Sequence, residues 1–235
     1  MIRLTFIALL PLLLLFSACT TVTPPVPMAT LGGPETVSKG EGELTLAGGG
    51  GFVNMENRDP DDGAGFGGRF VYGLDEDLDF GADVLWVDRG DFNAYFGAKL
   101  FGRTMLSDNV RLEAGLGMVD DSDLDALGGD IGLTFGSTQD ETINFYGSPR
   151  YAFSIGYDDG ELFSGSVSDP ANTPDAPNTH TVLLSLGAQL ELHPRYQLLL
   201  EAGHGYIIAS SGDFDAVPLY YFAVATRIDL FGSKE

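Results

Sequence analysis

The chain has 235 residues, with 34 acidic side chains against 12 basic ones, a formal charge of −22, 32 glycines and one cysteine. That length suits one domain, or at most two small ones, and is ample for a sizeable core. The charge excludes electrostatic binding to a nucleic-acid backbone, which needs a basic footprint. A single cysteine excludes an internal disulfide framework and a cysteine-based zinc site.

Arg3 precedes a predominantly apolar run, Leu4 to Phe16, interrupted by Pro11. The run is shorter than the ~20 residues of a bilayer-spanning helix and reads as the h-region of a signal peptide. Phe16-Ser17-Ala18-Cys19 resembles the lipobox of bacterial lipoproteins, an apolar residue and two small ones before a cysteine. The resemblance implies a signal peptide over 1–18, a diacylglycerol on the Cys19 thiol and an acylated new amino terminus. Thr20, where aspartate would mark inner-membrane retention, implies sorting to the outer membrane by the lipoprotein-sorting machinery. An ordinary secretory signal with a chance cysteine is the alternative. Residues 19–42 then form the lipidated cysteine and a disordered tether. Its Thr20-Thr21-Val22-Thr23-Pro24-Pro25-Val26-Pro27 and Gly32-Gly33-Pro34 carry no helix or strand period and favour solvated backbone.

From residue 43 the hydrophobic period is two. Leu78, Phe80, Ala82, Val84 and Trp86 alternate with Asp79, Gly81 and Asp83. Val182, Leu184, Leu186, Ala188, Leu190 and Leu192 alternate with Thr181, Ser185, Gly187, Gln189 and Glu191. Successive strand side chains point to opposite faces, so each segment has one apolar face and one polar or small face. The pattern predicts strands over 43–54, 64–73, 77–88, 92–103, 109–119, 127–137, 141–156, 178–192, 196–209 and 216–231. Short connections after every second strand alternate with longer ones, except around Arg89-Gly90-Asp91, which is the layout of a transmembrane barrel.

The polar face is crowded with glycine and alanine and carries a few charges: Arg69, Asp79, Asp83, Lys99, Arg111, Glu113, Asp130, Arg150, Glu191, Glu201 and Arg227. Small residues with mixed charges suit a narrow lumen in which ions must pair. A continuous apolar, aromatic face suits lipid. Tyr72, Trp86, Phe92, Tyr157, Tyr196, Tyr220 and Phe231 lie at strand ends, where interfacial girdles sit. A soluble β-sandwich and a periplasmic lipoprotein with a lipocalin-like barrel are the competing folds.

Residues 43–231 resemble the small bacterial outer-membrane β-barrels, the OmpA-like and OmpX-like class. Val224-Ala225-Thr226-Arg227-Ile228-Asp229-Leu230-Phe231 is similar to their C-terminal assembly signal, with residues 232–235 left as a tail. The expected fold is all-β: a transmembrane antiparallel up-and-down barrel of about ten strands, with eight the alternative. Outer-membrane lipid and the barrel-assembly machinery are the partners this resemblance implies. Pro149, inside the seventh strand, departs from the pattern, because proline removes a ladder donor and usually marks a bulge or an edge.

Candidate chemistry is sparse. Alternation sends His204 to the lipid face, away from Glu201, so a relay with Ser210, Ser211 or Asp213 is not expected. His180 and His193 fall at strand and turn ends. Asp120, Asp121, Asp123 and Asp125 have oxygen-ligand spacing for calcium, but lack the glycine and distal glutamate of an EF-hand loop. No other cofactor is expected. Arg69, Arg111, Arg150 and Arg227 are expected to pair with Asp79, Asp83, Glu113 and Glu201. The function expected is non-enzymatic: a lipid-anchored outer-membrane barrel with an envelope-structural or surface-interaction role through acidic loops. A small solute pore and a rim enzyme acting on lipid or peptide are the alternatives, and no extracellular ligand is specified.

Overall fold

The computed structural model describes residues 30–53, 61–89, 92–121, 125–137, 142–157, 178–209 and 216–231. The signal peptide, Cys19, the C-terminal tail and Asp123 lie outside the described residues. The period-two segments form ten strands: β1 Gly42–Val53, β2 Asp61–Asp75, β3 Leu78–Arg89, β4 Phe92–Ser107, β5 Val110–Asp121, β6 Asp125–Gly136, β7 Ile143–Tyr157, β8 Thr179–His193, β9 Tyr196–Ala209 and β10 Val217–Phe231. Each pairs with its neighbours in sequence, and β1 closes on β10, so the barrel has no edge. Closure by ten strands excludes both the eight-strand alternative and an open sandwich. The element order is that of an up-and-down barrel.

Both ends of the ladder, Gly42 and Phe231, are partners in register, which places both termini of the barrel at one mouth. That mouth also carries the tight connections at 76–77, 108–109 and 194–195 and is called the turn side. At the opposite, loop side, the connection after β5 narrows to residues 122–124, because β5 and β6 extend further than the pattern predicts. Asp120 and Asp121 therefore end one strand and Asp125 opens the next, rather than sharing a loop.

Alternation decides which face is which. On β9, Leu199, Glu201, Gly205 and Ile207 are buried, while Ala202, His204, Tyr206 and Ile208 are exposed. The outward set includes Phe66, Leu100, Leu116, Phe145 and Leu186, each more than half exposed. Holding so much apolar area against water would cost ~25 cal/mol per Å², so this wall is built for hydrocarbon. Exposed Tyr72, Tyr196 and Phe231 ring the turn side, and Trp86, Tyr206 and Tyr220 the loop side. Amphipathic rings at both ends match the two interfaces of a bilayer.

Two expectations are corrected. Pro149 makes no bulge: β6 and β7 keep one register on either side of it, but recorded pairing skips from Gly132–Arg150 to Phe135–Gly147. A missing N–H removes the ladder bonds there, while Pro149 still faces Leu184 of β8. The disordered tether also ends sooner than expected. Residues 30–37 run within the barrel from mid-lumen at Thr30 to the turn-side mouth at Val37, with Thr30, Leu31, Gly32, Gly33, Pro34 and Val37 buried. The chain then turns at 38–41, held by Gly40 N donating to the Gly73 carbonyl at 2.9 Å and Gly73 N to the Glu41 carbonyl at 3.1 Å. A Cβ at Gly73 would overlap the Ser38 carbonyl, so glycine is what lets this turn lie against β2. Exposed Lys39 donates to Asp75 at 2.9 Å, and that hydrogen bond raises the ammonium's pKa above its ordinary value.

Candidate functional site

The inward parity gathers charge at the middle of the lumen. Among the described residues, Arg69, Lys99, Arg103, Arg111, Arg150 and Arg227 are buried there with Glu43, Asp79, Asp83, Glu113, Asp130 and Glu201. Six cations thus face six anions. Arg69 grips Asp83 in a bidentate pair, Nε to Oδ1 at 2.7 Å and Nη2 to Oδ2 at 2.8 Å. Glu113 is the hub. It accepts from Arg150 at 2.9 Å and Lys99 at 3.1 Å, and lies 3.5 Å from Arg69. Arg150 also donates to Asp130, and Lys99 lies 3.3 Å from Asp130 and 3.5 Å from Asp83. Phe101 fills the space between these cations, its ring centroid 4.5 Å from the Arg69 guanidinium and 5.2 Å from the Lys99 ammonium.

Arg103 and Glu43 belong to the network and were not foreseen. Arg103 holds Asp79 by two bonds, 2.7 and 2.6 Å, and Arg227 lies 3.1 Å from Glu43. Their signal was parity: Arg103 continues the inward row of Lys99 and Phe101, but lay at the end of a strand read as stopping at 103. The foreseen partnerships are partly redistributed. Arg111 comes only to 4.0 Å of Glu113, and its Nη1 donates instead to the Glu35 carbonyl at 2.9 Å. Glu191, expected in the lumen, is exposed: it keeps the inward register opposite Gln197 but lies in the last turn-side residues of β8, 191–193, which are all exposed at the mouth.

Glu201 is held by tyrosines and by main-chain donors. Its carboxylate accepts from Tyr146 Oη at 2.9 Å, from Tyr221 Oη, and from the main-chain N–H groups of Thr30 at 3.0 Å and Leu31 at 2.8 Å. Glycine makes this arrangement possible. A Cβ at Gly187 would overlap the Tyr146 ring, and one at Gly203 the Tyr221 ring, so both tyrosines lie flat across the neighbouring strand.

Below that level the lumen grips residues 30–37 by their main chain. Arg69 donates to the Thr30 carbonyl at 2.6 Å and Arg227 to the Leu31 carbonyl at 3.0 Å. Gln189 accepts from Gly33 N at 3.2 Å, and Asp79 from Val37 N at 3.0 Å. Leu31 packs against Leu199, Ala223 and Ala225. Leu31 sits at φ 45° and Gly32 at φ 139°, and a Cβ at Gly32 would overlap the Arg227 guanidinium. Only glycine fits there.

The histidines stand apart from this centre. His204 faces outward, stacked on Tyr220 with ring centroids 4.4 Å apart, its Nδ1 3.2 Å from the Leu219 carbonyl. His180 Nδ1 lies 2.7 Å from Tyr151 Oη, and exposed His193 packs near Tyr196. No group of three or more His, Cys, Asp or Glu side chains that could hold a metal occurs among the described residues.

An outer membrane channel from Pseudomonas putida F1 is similar in structure at 9% identity, covering 86% of this chain and 100% of its own, with a TM-score of 0.50. The chain has the fold of bacterial outer-membrane β-barrels. Neisserial surface protein A is similar at 12% identity over 80% of this chain and 97% of its own (TM-score 0.43). The outer membrane protease OmpT from Escherichia coli matches at 12% identity over 81% of this chain and 96% of its own (TM-score 0.44). No protein-family model and no curated protein matches the sequence.

Proposed function

We propose that this protein is a closed, non-enzymatic barrel of the outer membrane, anchored through lipid on Cys19, with an envelope-structural or surface-interaction role. The observation that carries the reading is the filled lumen, in which six cations, six anions and residues 30–37 occupy the cross-section. A ten-strand barrel is narrow to begin with. Ions paired among small residues lock such a lumen, because Arg69, Lys99, Arg103 and Arg150 already hold carboxylates of the wall and offer little to a passing solute. The outward position of His204, away from Glu201, supports a role without acid–base catalysis at that residue.

Among the described residues, the buried charges of the barrel wall balance, six against six. Removing six acids from 34 leaves 28, and removing six bases from 12 leaves six, so the whole −22 belongs to the remaining residues. Among the described residues Asp75, Glu76, Asp77, Asp88, Asp108, Asp120 and Glu191 are exposed, an acidic surface suited to contact with cationic or ion-bridged partners. Planar-bilayer recording of the purified full chain tests the closed reading: no unitary conductance is expected, and stepwise ion currents would replace it with a pore. Incorporation of labelled palmitate, lost in Cys19→Ala, is the expected signature of the anchor, and an unlabelled wild type would remove it.

A further inference from the structure

We propose that the turn-side half of the lumen is a binding site for a short peptide with a glycine bend, which residues 30–37 fill as a resident ligand. This deepens the closed-lumen reading and rests on it. Seven of the lumen's contacts to the segment fall on main-chain atoms. Four N–H groups, of Thr30, Leu31, Gly33 and Val37, meet Glu201, Gln189 and Asp79. Three carbonyls, of Thr30, Leu31 and Glu35, meet Arg69, Arg227 and Arg111.

Acceptors in the wall therefore face donors in the segment, and donors face acceptors, as in any site that reads peptide backbone. Two of the wall's acceptors have partners besides the segment: Glu201 has Tyr146 and Tyr221, and Asp79 has Arg103. The segment itself has no strand pairing over residues 30–37 and carries Leu31 in a left-handed conformation that side chains rarely adopt. It is attached by side-chain contacts that another peptide could reproduce, so the site is one of occupancy rather than of covalent continuity.

Gly32→Val changes no residue of the wall and is expected to expel the segment, since φ 139° disfavours a β-branched residue and its Cβ would overlap the Arg227 guanidinium. Leu31→Pro is the second variant, because proline lacks the N–H given to Glu201 and cannot adopt φ 45°. The probe is a synthetic peptide of residues 30–39, labelled on Lys39 and followed by fluorescence anisotropy against full-length protein in detergent. Heat-dependent gel mobility reports that each barrel is formed. At least one vacated variant is expected to bind the probe ten-fold or more tighter than wild type, whose site is occupied. The same peptide methylated on the Leu31 nitrogen is expected to bind at least ten-fold more weakly.

Folded variants that ignore the probe, or that bind the methylated peptide equally well, would overturn the proposal. So would failure of both variants to form a barrel, since residues 30–37 would then be a structural element and no ligand. A silent wild type beside such results leaves the closed lumen standing, whereas a conducting wild type overturns both readings.

Discussion

Arg103 and Asp79 are each other's only ion partner among the described residues, fully buried and joined by two hydrogen bonds. Breaking a buried pair from one side strands the other charge, at about 3–5 kcal/mol. Arg103→Ala is therefore expected to lower the urea unfolding midpoint strongly. Replacing both partners, Arg103→Met with Asp79→Leu, should recover most of the loss, and a single variant as stable as wild type would contradict the pairing. Arg111→Ala should cost clearly less than Arg103→Ala. Glu113 retains Arg150, Lys99 and Arg69 when Arg111 is gone, and what is lost is mainly the bond to the Glu35 carbonyl. Sequence parity made most of these charges legible as one inward set. It could not assign partners, because partners lie on different strands and are selected by register and side-chain reach. Arg103 was hidden by a strand boundary, and Glu191 was placed inside because parity gives the face of a strand but not where the strand leaves the barrel, and Glu191 keeps its register at an exposed strand end.

At the scale of elements, the ten strands were legible because each combines a strict period of two with turn residues at its ends. The end of β5 was not, since Asp120 and Asp121 are residues that usually break strands. The segment 30–37 was invisible for a different reason: its order comes from main-chain atoms, which every sequence possesses. Gly187 and Gly203 show how adjacent strands share the lumen. Gly203→Ala is expected to cost about 1–3 kcal/mol, because its methyl would displace the Tyr221 ring from Glu201. In a Tyr221→Ala background the same change should cost almost nothing. Equal losses in both backgrounds, measured as unfolding midpoints, would show that the glycine does not serve the tyrosine.

At the scale of the molecule, the barrel separates two electrostatic compartments. Among the described residues the wall's buried charges are balanced, and Asp75, Glu76, Asp77, Asp88, Asp108, Asp120 and Glu191 are exposed. Buried pairs are screened little by salt, whereas exposed charges beyond ~8–10 Å are largely screened at physiological ionic strength. The unfolding midpoint should change little between low and moderate sodium chloride at fixed pH. A steep fall with salt would mean that the lumen ions are wet. Exposed Lys39 and Asp75 add little to this balance, since isolated surface pairs contribute at most about 1 kcal/mol.

The central claim is that the apolar exterior faces lipid and the charged interior is sealed. Gel mobility of the full chain from membranes, with and without boiling, tests it most directly. A closed barrel bound by detergent along its apolar wall should run faster unheated and shift on boiling. A single mobility under both conditions, from protein that stays soluble without detergent, would contradict the membrane-spanning barrel.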